Sequence, residues 1–348
     1  MTIDTALIGF GQAGARIHAP LLLAEPSVRL RRIITSRRDE ARASCPDVVA
    51  TKNVGDALND PSIGLVVIAT PNHTHIPFVR DALLSGKHVV VDKPFVTDEA
   101  EGRDLVRLAR ERGQMLTVFH NRRWDGDFLT VRRMIQSGRL GSVRLAEFRW
   151  DRFRPAVKAG WRELPGEGTG LLADLGPHLV DQALLLFGMP DYVGGDIAIQ
   201  RGGALVDDYF ELTLHYGAMR VILSASTLVA APRPRFALHG DDGSFVKHGL
   251  DPQEALLRSG RTPRDAGFGE DETNSYGVLT RTDGSGGPIP TERGNWRAFY
   301  RAVVEAIDEA GPAPVDPTDA LAGLAVIDHA LRSAREGRLL RFVLPAYQ

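Results

Sequence analysis

The residues with the clearest chemical potential are Asp92, Lys93 and Pro94, which follow three consecutive valines at 89–91. A run of β-branched residues predicts a buried strand with both faces covered, as in a parallel sheet. Proline cannot continue the hydrogen-bond ladder, so Lys93 is expected at the carboxyl edge of the sheet, where open α/β sheets bind ligands. A lysine there is a catalytic candidate, because burial or a nearby cation lowers the pKa of a lysine. The alternative is a structural lysine that leaves a strand end.

A second chemical group is the series Asp174, His178 and Asp181 in the stretch 170–181, which is predicted to be helical. Residues four apart share one helix face, so Asp174 and His178 are expected to be neighbours. A carboxylate beside an imidazole fixes its tautomer and raises its basicity, which suits a general base. A structural Asp–His pair or a helix cap would use the same residues. Pro177 predicts that the helix begins or kinks near this pair.

The first element that must position these groups is a glycine-rich turn after an apolar strand, Thr5 to Ile8. A helix is predicted to follow the turn, and this order fits a dinucleotide-binding site rather than a chance glycine turn. The first glycine permits the turn, the second lets a pyrophosphate approach the backbone, and the third packs the helix against the strand. The predicted cofactor-binding residues of this turn are Gly9, Phe10, Gly11, Gln12, Ala13 and Gly14.

The end of the second strand, Val28 to Ile34, indicates which dinucleotide is bound. An NAD site places a carboxylate here, about 20 residues beyond the glycines, to bind the ribose 2′-hydroxyl. This chain has Ser36 and Arg37 instead, and Asp39 comes later. Guanidinium donors suit a 2′-phosphate, so we expect NADP, with NAD as the other possibility. The alternative is a solvated basic turn.

A third buried strand, 64–69, ends at Thr70, Pro71 and Asn72, which are expected to turn the backbone towards a nucleotide. His73 and His75 follow on the same loop. Two histidines without a clustered third ligand are weak evidence for a metal, so none is predicted. A cofactor-binding or helix-capping role is expected for His75.

The two halves of the chain have different periodicity. Strands and helices alternate to residue 120, which predicts an N-terminal Rossmann fold with a doubly wound parallel sheet in residues 1–122. After a helix around 128–136, apolar residues recur at period two in 142–150 and 210–215, as in an open, mostly antiparallel sheet. Residues 123–348 are therefore expected to form an α+β domain that binds substrate and oligomerises. The Gly- and Asp-rich segment 260–287 is predicted to be an exposed loop.

Composition narrows the class of protein. The chain has 348 residues, 43% hydrophobic and 25% charged, as in soluble two-domain proteins. A formal net charge of −2 gives no footprint for nucleic acid or an anionic membrane. Cys45 is the sole cysteine, so no internal disulfide can form. Residues 1–10 lack the features of a signal peptide, and a cytoplasmic location is expected.

In combination these motifs resemble the Gfo/Idh/MocA family of NAD(P)-dependent sugar and cyclitol dehydrogenases. The resemblance covers essentially the whole chain. It implies a substrate site between two domains, a homodimer or homotetramer, and a cis peptide bond before Pro94. Lys93 matches the family lysine, His178 its catalytic histidine and Asp174 the helper carboxylate. The family usually has glutamate at the position of Asp92, so the contact of this carboxylate with the nicotinamide ribose is open.

The segment 120–128 also resembles a subgroup that includes scyllo-inositol dehydrogenases. Arg123, Trp124 and Trp161 are candidates to line a polyol site, and packing between domains is an equal alternative. The expected reaction is reversible oxidation of a secondary alcohol, with His178 as acid and base and Lys93 polarising the substrate oxygen. The family also contains NAD-dependent glycosidases and non-catalytic sensors, and these two functions are the alternatives.

Overall fold

In the computed structural model, residues 2–160 and 163–344 are described. The predicted substrate residue Trp161 lies outside these residues. The chain divides into two compact units, and each unit combines segments that are distant in sequence. The first unit contains Met1–Trp124, Pro252–Gly269 and Asn295–Leu321, and the second contains Asp125–Asp251, Glu270–Gly294 and Ala322–Gln348.

The first unit contains a parallel six-stranded sheet, as predicted. Its strand order is β3-β2-β1-β4-β5-β6, which is the order of a doubly wound nucleotide-binding sheet. The central strands are buried on both faces, and Val66, Val67 and Val89–Val91 are fully buried. The carboxyl ends of β1, β2, β4 and β5 therefore meet at one edge. The strands are β1 Ile3–Ile8, β2 Val28–Ile34, β3 Val49–Thr51, β4 Leu65–Ile68, β5 His88–Val91 and β6 Leu116–Val118.

The described residues contain ten α-helices. The N-cap Asp98 of α5 accepts a hydrogen bond from the backbone of Glu101, and Gly113 ends that helix in a left-handed conformation. The helices are α1 Ala19–Ala24, α2 Arg38–Ser44, α3 Gly55–Leu58, α4 His75–Leu84, α5 Glu99–Arg112, α6 Gly126–Gln136, α7 Gly170–Phe187, α8 Gln253–Arg258, α9 Arg297–Asp308 and α10 Pro317–Glu336.

The second unit contains a nine-stranded sheet of order β14-β13-β12-β11-β7-β10-β9-β8-β15. All neighbouring strands are antiparallel except β7 and β10, which are parallel. The predicted α+β class is thus confirmed. The strands are β7 Val143–Arg149, β8 Tyr192–Ala198, β9 Tyr209–Tyr216, β10 Met219–Ser226, β11 Phe236–Gly240, β12 Gly243–Lys247, β13 Gly277–Arg281, β14 Gly286–Ile289 and β15 Leu340–Arg341.

One face of this sheet forms the core of the second unit together with α7 and α10. Phe210, Leu212 and Leu214 of β9 are fully buried and belong to the same apolar cluster as Leu175 and Leu179 of α7. The apolar residues of β9 therefore cover one face of the sheet and the polar residues the other, as the sequence pattern predicts. Helix α7, which carries Asp174 and His178, is anchored by this core.

The predicted exposed loop at 260–287 is wrong in its second half. Strand β13 and the beginning of β14 lie within it, and Leu279 is buried in the sheet core. The pairing of β13 with β12 stabilises this segment as a strand, because the backbone N–H and C=O groups of each strand bond to those of the other. Short strands among glycines carry little periodicity, so the sequence pattern missed them.

None of the helices in the part of the chain that the structure describes combines the length and apolar character needed to cross a membrane.

Candidate functional site

The glycine-rich turn connects β1 to a helix, as the dinucleotide motif requires. Gly9 has a φ of 101°, and a Cβ there would lie 2.3 Å from the carbonyl oxygen of Ala69. A Cβ on Gly14 would lie 2.1 Å from the carbonyl oxygen of Gly9. Both positions therefore require glycine for the turn to close against β4. Residues Gly14–His18 form a π-helical turn before α1 begins.

Gly11 differs from its two neighbours and is the part of the turn that fits a dinucleotide. A Cβ at Gly11 would meet no heavy atom within 4 Å. The turn thus has open space next to its backbone, where a pyrophosphate could approach the amide groups. The glycine at this position is not required by internal packing, and its contact with a pyrophosphate stays a prediction.

A Gly11→Ala variant is expected to fold normally and to bind dinucleotide at least tenfold more weakly, a loss of about 1.4 kcal/mol. The added methyl group occupies the open space without touching protein atoms. Thermal unfolding without cofactor and fluorescence titration with NADPH would measure the two effects separately. Unchanged NADPH affinity would contradict the assignment of this turn to the pyrophosphate.

Ser36 and Arg37 lie at the carboxyl end of β2 and are exposed. The Arg37 backbone N–H donates to the Thr35 hydroxyl over 3.0 Å, which fixes the start of the turn. The Arg37 guanidinium lies 3.7 Å from the Glu40 carboxylate in an exposed pair. Exposed pairs of this kind contribute little free energy, so the guanidinium can exchange Glu40 for a phosphate.

Thr70, Pro71 and Asn72 follow β4, and His75 begins α4. The buried His75 ring has Nδ1 2.8 Å from the Pro94 carbonyl oxygen and Nε2 3.0 Å from the Thr70 carbonyl oxygen. Its two nitrogens therefore face backbone groups of the two loops that carry predicted cofactor contacts. Any role of His75 in cofactor binding would act through these loops.

Asp92 and Lys93 directly follow β5, at the same edge of the sheet as the glycine turn. The peptide bond between Lys93 and Pro94 is cis, which confirms that expectation. The Asp92 Oδ1 accepts a hydrogen bond of 2.8 Å from the Lys93 backbone N–H. Burial alone would raise the pKa of the Asp92 carboxyl, but the adjacent His18, Lys93 and His75 hold that pKa below its ordinary value. Asp92 is therefore an anion beside Lys93.

Arg123 and Trp124 lie in a 3₁₀ turn of the first unit and have clear packing partners. The Arg123 guanidinium donates to the Asp319 carboxylate over 2.9 Å. The Trp124 ring contacts Phe299 edge-on at a centroid distance of 5.4 Å. Both contacts lie within the first unit, so they do not test the alternative of packing between domains, and the substrate-binding role stays a prediction.

The predicted general base lies in the second unit, on α7. This helix begins at Gly170, well before Pro177, so a helix start at the proline is wrong. The Asp207 carboxylate accepts a hydrogen bond of 2.6 Å from the Leu172 backbone N–H at the first turn. Because a residue from outside the helix satisfies this amide, the helix can start before its proline. Asp174 and His178 lie one turn apart within the helix.

The surroundings of His178 contain residues that the sequence did not suggest. His178 is buried, with its ring 5.9 Å from the Trp150 ring and tilted by 32°. Asp174 accepts a hydrogen bond of 3.4 Å from Arg152. The Arg152 guanidinium also lies over the Trp150 ring, 5.9 Å from its centroid. A buried imidazole, a carboxylate one helical turn away and a guanidinium are thus grouped around Trp150, and the catalytic role of Asp174 and His178 stays a prediction.

Asp181 is buried one turn beyond His178. Gln182, the next residue, accepts a hydrogen bond of 2.9 Å from Arg235, whose guanidinium lies 5.1 Å from the Trp150 centroid. Arg152 lies three residues beyond the end of β7 and Arg235 lies immediately before β11, and these two strands pair with each other. Among residues 2–160 and 163–344, no cluster of three or more His, Cys, Asp or Glu side chains could hold a metal ion.

Comparison with known proteins identifies two family regions. Residues 3–120 match the Gfo/Idh/MocA oxidoreductase family, NAD-binding Rossmann fold. Residues 132–342 match the C-terminal alpha/beta domain of the same oxidoreductase family. The two matches correspond to the parallel sheet and to the nine-stranded sheet.

Individual relatives match over nearly their full length. The chain is 40% identical over 342 residues to the scyllo-inositol 2-dehydrogenase (NADP(+)) IolW of Bacillus subtilis, with 97% of this chain and 96% of IolW covered. It is 43% identical over 336 residues to the uncharacterized oxidoreductase YdgJ of Escherichia coli, with 96% of each covered. The solved structure of the B. subtilis oxidoreductase yvaA matches with a TM-score of 0.95 and 39% identity, covering 98% of this chain and 99% of that chain.

Proposed function

The chain belongs to the Gfo/Idh/MocA oxidoreductase family, and we propose that it is an NADP-preferring dehydrogenase of a cyclitol or sugar. The observation that carries this proposal is the shared sheet edge. The glycine turn, the Thr70 loop and Lys93 follow three neighbouring strands, β1, β4 and β5. This arrangement suits a nucleotide whose nicotinamide lies close to a cationic side chain. The full-length similarity to IolW supports the substrate class.

In the proposed reaction, His178 accepts the proton of a secondary hydroxyl group and returns it in the reverse direction. Lys93 donates a hydrogen bond to the same oxygen and stabilises its developing negative charge. Asp174 orients the imidazole and stabilises its protonated form, while Arg152 donates a hydrogen bond to Asp174 and holds it in place. When bound, the nicotinamide supplies the hydride acceptor or donor.

The test of this proposal is reduction of NADP and NAD by a panel of inositols and aldoses, followed by absorbance. We expect reduction with at least one cyclitol or sugar, faster with NADP than with NAD. Oxidation of NADPH by the corresponding ketone would establish the reverse reaction. Release of sugar from a glycoside without net cofactor reduction would favour the glycosidase alternative. Tight cofactor and sugar binding without any turnover would favour the sensor.

The preference for NADP is expected to depend on Arg37. An Arg37→Ala variant should raise the KM for NADP by about tenfold, since one charge-assisted phosphate contact contributes about 1.5–3 kcal/mol. The KM for NAD should stay within about twofold, because NAD lacks the 2′-phosphate. Arg42→Ala is a matched control, since Arg42 lies on α2 in a similar exposed pair with Asp39. Equal effects of Arg37→Ala on both cofactors would contradict the role.

We further propose a cytoplasmic homodimer or homotetramer. The family resemblance supports the oligomer, and the single, buried Cys45 thiol is compatible with a reducing compartment. Size-exclusion chromatography with light scattering would measure the oligomeric state directly, and a monomer would contradict it.

A further inference from the structure

A chain of three polar side chains lies beneath the sheet edge of the first unit and ends at the partly exposed Asp92. The Tyr300 hydroxyl lies 2.5 Å from His18 Nδ1, and His18 Nε2 lies 3.6 Å from Asp92 Oδ2. His18 and Tyr300 are fully buried. Burying polar groups costs free energy unless they are paired, and here each buried group faces the next one as far as Asp92. The chain therefore connects the interior of the first unit to Asp92.

The surrounding rings fix the orientation of His18. Its ring centroid lies 4.3 Å from that of Phe119, and Phe119 stacks on Tyr300 at 5.8 Å. The π-helical turn Gly14–His18 places His18 immediately before α1. Such turns are rare and often occur at functional sites. The imidazole is thus held with one nitrogen towards Tyr300 and the other towards Asp92.

The protonation of the two outer groups follows from their surroundings. Burial raises the pKa of the Tyr300 hydroxyl well above its ordinary value, with a further contribution from the Asp92 charge, so Tyr300 is neutral. Asp92 is ionised, as described above. Within the described residues, His18 Nε2 has no hydrogen-bond partner. The Asp92 carboxylate is the anion that this nitrogen faces.

Asp92 is the point where this buried chain meets the candidate active site. One carboxylate oxygen accepts from the Lys93 backbone N–H, and the other faces His18. An aspartate has one methylene fewer than glutamate and fewer rotatable bonds. The Lys93 backbone N–H contacts one oxygen of the Asp92 carboxylate, and His18 faces the other. The two contacts together hold the carboxylate against the Lys93 backbone.

We propose that His18 and Tyr300 are positioning residues that hold the Asp92 carboxylate, and through it Lys93, in the geometry needed for turnover. This inference rests on the proposed dehydrogenase function. Neither His18 nor Tyr300 touches the substrate in this proposal. They act by fixing a charged group next to the lysine that polarises the substrate oxygen.

Two variants test the proposal. Tyr300→Phe removes one hydroxyl group and keeps the ring, and His18→Gln keeps a polar side chain of similar length. Each is expected to lower kcat by about tenfold, the equivalent of one lost hydrogen bond in a charged network. The KM for the alcohol and the Kd for NADPH should stay within about twofold. Tyr300→Phe retains the packing, so it remains informative if His18→Gln folds poorly.

A double-mutant cycle separates positioning from general destabilisation. If His18 acts through Asp92, His18→Gln should lower kcat no further in an Asp92→Asn background. The control is Val303→Ala, which removes buried apolar atoms one turn along the same helix, α9, and leaves the polar chain intact. It should lower Tm while kcat stays at the wild-type level.

The outcomes are distinct. Wild-type kcat in both Tyr300→Phe and His18→Gln, or multiplicative losses of kcat in the cycle, would overturn the inference while leaving the dehydrogenase function intact. A wild-type protein without turnover on any alcohol or ketone would instead overturn the proposed function. In that case the same cycle is measured by Tm without ligands. Additive Tm losses for His18→Gln and Asp92→Asn would overturn the inference, and a non-additive loss would support the contact.

Discussion

Replacing Lys93 with alanine is expected to lower kcat by about 10²–10³-fold, the usual effect of removing one donor that stabilises a developing oxyanion. The variant should still bind NADPH within about twofold of the wild type. Lys93 follows β5, whereas the glycine turn and Arg37 follow β1 and β2, so the phosphate contacts proposed for those turns do not require Lys93. Steady-state kinetics with the best polyol and fluorescence titration with NADPH would measure both quantities.

Lys52→Ala is the matched control for this experiment. Lys52 also directly follows a strand of the same sheet, but that strand is β3 at the edge, remote in strand order from β5. Its removal should leave kcat unchanged. If Lys93→Ala retained near-normal turnover, the lysine would be structural, and the proposed polarisation of the substrate oxygen would have to be assigned to another group.

Replacing His178 with asparagine is the second change with a large expected effect. Loss of a general acid and base lowers turnover by about 10²–10⁴-fold. Because proton transfer occurs in the transition state, kcat should fall much more than the affinity for substrate changes. The limb of the pH–rate profile that reports the general base should disappear. Rates measured across a pH series for the wild type and the variant would show both effects.

His329→Asn provides the comparison for His178. His329 also lies on a helix of the second unit, α10, where its Nδ1 donates to the Ala325 carbonyl oxygen over 2.7 Å. Its ring packs against Phe342 at a centroid distance of 5.0 Å, and its replacement is expected to change neither kcat nor the pH profile. A His178→Asn enzyme with an unchanged pH profile would exclude His178 as the titrating base, and Asp174 would then be the first alternative to test.

The fold class could be predicted from the sequence because each half repeats a simple pattern. Valines 89–91 are three consecutive β-branched residues, as in a strand covered on both faces, and they belong to the buried strand β5. In β9 the apolar residues alternate with polar ones, and the structure buries only that apolar set. These patterns arise because a residue's direction from the backbone is fixed locally by the pleat.

The candidate site was predicted only where its residues are close in sequence. The glycine turn and the Asp92-Lys93-Pro94 step are local, because their conformations depend on the residues themselves. Asp174 and His178 are four apart, so helix geometry alone relates them. The roles proposed for these residues come from the family resemblance together with this local chemistry.

Which side chains the candidate site residues contact depends on the tertiary structure. Segments 252–269 and 295–321 belong to the first unit although they follow the second sheet's strands in the chain. Tyr300 therefore reaches His18 across 282 positions, and Arg152 reaches Asp174 across 22. Strand β13 likewise forms by pairing with β12 and is not indicated by its own sequence pattern. Periodicity and spacing describe how a residue is directed from its own element. Which distant element it meets depends on the packing of apolar faces across the whole unit, and a single sequence carries no local signal of that choice.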